Sequence, residues 1–137
     1  MSEVQNPPIA QPIAASEDRV MAAIIYALFI IGPSNGLTVL IGLILAYVSV
    51  GAAGPKMRTH YIFQIRTFWT CVVWAFFGGM VTALGAVLLL VLIGFPIMHL
   101  GVGIVGLSGL WFVVRSVAGA VYLAQDQAYP RPRSWLI

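Results

Sequence analysis

Apolar residues run through this chain in four blocks, separated by short polar or glycine–proline breaks. The first two blocks, "VMAAIIYALFII" and "LTVLIGLILAYVSV", flank "GPSNG". Each predicts a helix of about 20 Å, short of the roughly 30 Å of a hydrocarbon core. "GPSNG" is strong turn chemistry, because its glycines tolerate any backbone and Pro33 has no N–H to donate. Two arrangements are open. One is a single kinked span; the other, favoured here, is a hairpin of two short helices, re-entrant or thinning the bilayer around it. Irregular backbone cannot face lipid at mid-membrane depth. The turn must therefore lie near a surface or be covered by the other helices.

"GAAGP" forms the next break, with Gly54 suited to a helix cap and Pro55 to the first helical position. A helix over 55–93 would be about 58 Å long, so its first part is expected at the membrane surface or projecting from it. The apolar portion, 67–93, still requires tilt. "GFP" ends it, and a last apolar run covers 97–124. The tail "QDQAYPRPRSWLI" carries prolines that forbid a long helix, and Trp135 can anchor it back at the interface. The pattern predicts an all-α membrane protein: a bundle of four helices, a short N-terminal hairpin plus two long transmembrane helices. Residues 1–18 are expected as a flexible polar tail, 19–126 as the transmembrane domain and 127–137 as a cytoplasmic Pro/Arg tail. The first residues lack the basic region and cleavage site of a signal peptide.

Composition strengthens the membrane reading. Of 137 residues, 61% are hydrophobic and 8% charged, against about a quarter charged in a soluble domain. No charge falls between Arg19 and Lys56, or between Arg66 and Arg115. The net charge of +3 comes from scattered residues without a basic stripe, so no nucleic-acid partner is expected. The charges set orientation instead. Lys56, Arg58 and Arg66 on one side, and Arg131 and Arg133 in the tail, point both segments to the cytoplasm and "GFP" to the far side. A hairpin places the N-terminus inside as well; a single first span places it outside. Cys71 is the sole cysteine, so no internal disulfide or cysteine metal site can form.

The polar residues of "THYIFQIRTFW", 59–69, are not scattered. On a helical wheel His60, Gln64, Thr67 and Cys71 form one narrow strip. Phe63, Thr70 and Trp74 edge it, and Arg66 lies further round. Tyr61, Ile62, Ile65, Phe68, Trp69, Val72 and Val73 make the opposite face, which suits lipid. The last helix offers a partner face of Gly101, Ile104, Ser108, Trp111, Arg115, Gly119 and Tyr122. Gly101, Ser108 and Gly119 permit close helix packing, as does the pair Gly79 and Ala83 on the preceding helix. Arg115 is the costliest residue, starting near roughly +2.5 kcal/mol at a span centre. No acid lies within the spans to pair with it. The readings open to it are a snorkelling anchor, bonds to carbonyls or Gln64 with stacking on Trp111, an anionic lipid or ligand, or pairing with Asp18, Glu17 or another protein. His60 and Gln64 are expected in interhelical hydrogen bonds, Cys71 in packing and His99 at an interface.

"GVGIVG", 101–106, matches a dinucleotide-binding glycine pattern, which has meaning only after a strand in an α/β unit. Inside a membrane span it reads as close packing. No nucleophile with base and orienter, metal cluster or phosphate loop is visible, so neither an enzyme nor a cofactor is expected.

"GLILAYVSVG", "THYIFQIRTFW" and "RPRSWLI" together resemble a family of small uncharacterised bacterial inner-membrane proteins. That family is similar, distantly, to the channel-forming component of the chloroplast inner-envelope (Tic) protein translocon. The resemblance covers roughly 22–137; its specific part is the His-x3-Gln-x-Arg-x-Phe-Trp stretch, His60 to Trp69. It implies a four-helix fold in a bacterial inner membrane; it does not imply protein import, and no catalytic residues come with it. The functional expectation is an accessory, assembly or structural membrane component. Its partners would be the bilayer, including anionic lipid, and a second copy or another membrane protein. The alternative is an oligomeric channel or transporter using the polar face around Gln64 and Arg115.

Overall fold

A computed structural model describes residues 18–136. They form four helices: α1 (Arg19–Ile31), α2 (Leu37–Val50), α3 (Pro55–Val87) and α4 (Gly94–Ala124). Asp18 starts α1 by accepting the N–H groups of Val20 at 2.9 Å and Met21 at 3.4 Å. Pro55 occupies the first turn of α3 after Gly54, where its missing N–H costs nothing. Apart from Asp18, the expected N-terminal tail lies outside the described residues, as does Glu17.

The first two helices make an antiparallel hairpin, as Asp18 at the start of α1 shares a crevice with Val48 and Ser49 at the end of α2. Its turn takes up its backbone donors locally, while the Thr38 hydroxyl is buried without a hydrogen-bond partner among the described residues. Gly32 O accepts from Asn35 and Gly36, Ser34 Oγ donates to Ile31 O at 2.6 Å, and Asn35 Oδ1 accepts from Leu37 and Thr38. Gly36 has φ +62°, which favours glycine. The tip itself is exposed from Pro33 to Leu37, and Pro33 and Gly36 border a crevice shared with Phe68, Cys71, Ala75 and Val105 near the middle of α3 and α4.

The two long helices pack against each other through glycines. A Cβ at Gly78 would stand 2.9 Å from Val105 and 3.0 Å from Gly101 O, while one at Gly85 or Gly101 would overlap backbone of the facing helix. By length and composition Pro55–Val91 and Gly94–Ala124 can each cross a membrane. The hairpin covers only the first half of α3 and the second half of α4. The core sits there, built from Ile25, Tyr26 and Phe29 of α1, Leu43 and Ala46 of α2, Met57 and Phe63 of α3, and Phe112 and Leu123 of α4. Beyond it α3 and α4 continue as a bare pair with Phe76, Val87 and Leu100 exposed, as is Leu90 in the turn that joins them.

Several expectations need correcting. Tyr61 and Phe68 are buried rather than outward, because α2 lies on the face that a lone amphipathic helix would turn to lipid. Gly79 meets nothing, and its neighbour Gly78 makes the close approach. The C-terminal segment, expected as a Pro/Arg tail anchored through Trp135, also packs inward at Tyr129, which is buried in the core.

Candidate functional site

At one end of the bundle three helix ends are tied together. Asp126 accepts from Lys56 Nζ at 2.8 Å and pairs with Arg19 Nε at 3.5 Å, while Arg19 Nη2 donates to Leu123 O at 2.9 Å. The hydrogen bond from Lys56, and then its charge, hold the Asp126 carboxyl below the usual carboxylate range.

One layer further in, the strip foreseen on α3 meets α1, α4 and the tail. His60 Nε2 lies 2.8 Å from Gln127 O, and Nδ1 lies 3.0 Å from the Tyr26 hydroxyl. A carbonyl only accepts, so Nε2 carries the proton and Tyr26 donates to Nδ1. Gln64 Nε2 donates to Ala22 O at 3.1 Å, whereas its Oε1 is buried without a hydrogen-bond partner among the described residues. Tyr129 stacks on Phe63 at 3.7 Å and its N–H donates to Thr59 Oγ1. Burial raises the Tyr129 hydroxyl above its ordinary range.

Arg115 is 1% exposed and makes the densest set of contacts. Its Nε donates to Thr67 Oγ1 at 2.7 Å, Nη2 donates to Ser134 O at 2.6 Å, and Nη1 donates to Leu136 O. The guanidinium stands 4.3 Å from the Phe63 ring centre and 5.0 Å from that of Trp111. Carbonyl bonding and stacking on Trp111 are therefore realised. Pairing with Asp18 is not, since that carboxylate caps α1, and Gln64 bonds α1 instead of Arg115. A snorkelling side chain would reach outward; this one is roofed by the tail.

Arg66 sits apart from the buried layer, half-buried, with its guanidinium 5.8 Å from the Trp135 ring centre. Trp135 also closes one end of a lateral groove of about 420 Å³ lined by Thr70, Trp74, Ile104, Leu107 and Trp111. Of the packing residues, Gly101 abuts Thr82, Gly119 admits the Tyr26 ring, and Ser108 donates to Val105 O while its own carbonyl lies 3.7 Å from Cys71 Sγ. His99 lies exposed at the opposite end, with Nδ1 2.8 Å from Phe95 O.

Sequence reasoning missed the tail as a structural partner. Tyr129 and the carbonyls of Ser134 and Leu136 complete the polar layer. The available signal was an aromatic pair, Tyr129 and Trp135, in an otherwise polar segment stiffened by Pro130 and Pro132. Chemically, the layer offers bound hydrogen-bond donors and a shielded cation. No family model, curated protein or solved structure matches the chain.

Proposed function

We propose that the chain is a multi-pass integral protein of a bacterial inner membrane, acting without catalysis as an accessory, assembly or structural component of a membrane assembly. The observation that carries this reading is the contrast between the two halves. Polar side chains in the hairpin-covered half are buried and bond one another, the α1 backbone or the tail, with Gln64 Oε1 left over, while the bare half presents apolar side chains such as Leu90, 96% exposed. A contiguous apolar surface of that kind favours lipid or another membrane helix.

Orientation follows from charge. Arg19, Lys56 and Asp126 meet at one end, and Arg58, Arg131 and Arg133 adjoin them in sequence. The excess of basic residues favours a cytoplasmic end, with the turn around Leu92 outside.

Native mass spectrometry of particles taken into nanodiscs directly from the membrane tests the reading. A reproducible heteromeric mass is expected. A homo-oligomer that carries ion current in planar bilayers would replace it with the channel reading.

A further inference from the structure

We infer that the lateral groove between α3 and α4 holds an acyl chain of one anionic phospholipid, with Arg66 at its phosphate. This deepens the membrane reading above and rests on it. The groove, about 420 Å³, has the size of a ligand site, roughly 300–1,000 Å³. Its walls are apolar and aromatic, and the Ser108 hydroxyl at its edge is already donating to Val105 O. An aliphatic chain fits such walls better than any polar solute.

The charge lies at one end. Arg66 precedes Thr70, a wall residue, by one helical turn, about 6 Å along the axis toward the charged end. Its guanidinium stands 5.8 Å from the Trp135 ring, which closes the groove there. Arg131 and Arg133 are exposed in the same tail segment. No acidic residue occurs between Asp18 and Asp126, and Asp126 is engaged with Lys56 and Arg19. A guanidinium beside an indole, with the chain path leading away from it, suits a phosphodiester whose tail enters the groove. Arg115 cannot serve, since it is 1% exposed and roofed by the tail carbonyls it bonds.

The full chain would be placed in nanodiscs of equal phosphatidylglycerol and phosphatidylcholine, and its retained lipids counted by native mass spectrometry. One phosphatidylglycerol should be kept over phosphatidylcholine by about fivefold, the preference one basic residue near a phosphate gives. Arg66→Gln should bring the ratio close to one, and Arg66→Lys should keep most of it. Thr70→Phe, which fills the groove, should lower retention of both lipids with helicity unchanged by circular dichroism. Equal retention by the parent chain, or an Arg66→Gln ratio like the parent's, overturns the inference. Displacement by excess inorganic phosphate would mean a bare anion site and overturn the groove assignment. Failure of the underlying membrane reading shows separately, as release of the chain from membranes by alkaline carbonate.

Discussion

At the scale of single residues, Arg115 shows how a buried cation is tolerated without an acid. A guanidinium directs its N–H groups in a fixed plane, and here that plane meets one hydroxyl and two tail carbonyls between two aromatic rings. The carbonyls come from 134–136, so the same bonds that satisfy the charge hold the tail down. Lysine offers a point charge that cannot reach all three acceptors or lie flat between the rings. Arg115→Lys should therefore loosen the tail while leaving the helices intact. Losing one charge-assisted bond costs about 1.5–3 kcal/mol, so the Ser134 amide should exchange at least about tenfold faster. Unchanged exchange at Ser134 would mean that the tail is held by Tyr129 and its stacking on Phe63 alone.

Among whole elements, the glycines of α4 divide into two sets. Gly101 faces α3, where a Cβ would overlap Thr82, whereas Gly103 has open space around it. Gly101→Leu should lower stability in detergent by about 1–3 kcal/mol through overpacking, and Gly103→Leu should stay within about 0.5 kcal/mol. Thermal unfolding followed by circular dichroism distinguishes them; equal effects would place α3 on another face of α4. Part of this was legible in the sequence. The four helices followed from block lengths and breaks, and the strip of His60, Gln64 and Thr67 followed from helical periodicity, because an isolated helix obeys both. Gly101, Ser108 and Gly119 were found for the same reason. The partner of each face was not legible. Tyr61 and Phe68 belong to an apolar face that could meet either lipid or α2, and residue chemistry alone does not separate the two. The choice between Gly78 and Gly79 turns on a rotation of one residue, beyond what a wheel resolves. The tail contact was hidden because backbone carbonyls, which satisfy Arg115, leave no trace in side-chain identity.

Over the whole molecule, the charged end acts as a clamp across α1, α3 and the segment after α4, and its pH dependence has a definite sign. The Asp126 carboxyl titrates below its ordinary range when folded, chiefly through the Lys56 hydrogen bond. Its contribution is present at and above the ordinary carboxylate range and is lost as pH falls through the depressed value. Asp126→Asn should remove that part of the acid dependence, and asparagine suits the left-handed backbone there, φ 57°. An acid limb identical in the variant would assign the dependence elsewhere. The other whole-molecule consequence concerns depth. Helices of 13 and 14 residues reach about 20 Å from the clamped end, whereas a hydrocarbon core is about 30 Å thick. The hairpin should therefore enter and return without crossing. Its turn can lie at that depth because Gly32 O, Ile31 O and Asn35 Oδ1 take up the donors of the turn locally, leaving little exposed N–H for lipid to meet. In a Cys71→Ser background, Ser34→Cys should resist a membrane-impermeant maleimide from both faces. Ile93→Cys, between the long helices, should react from the far face, and Gln127→Cys from the clamped face. Rapid labelling of Ser34→Cys from the far face would instead mean that the bilayer thins until the short hairpin spans it, turning two crossings into four.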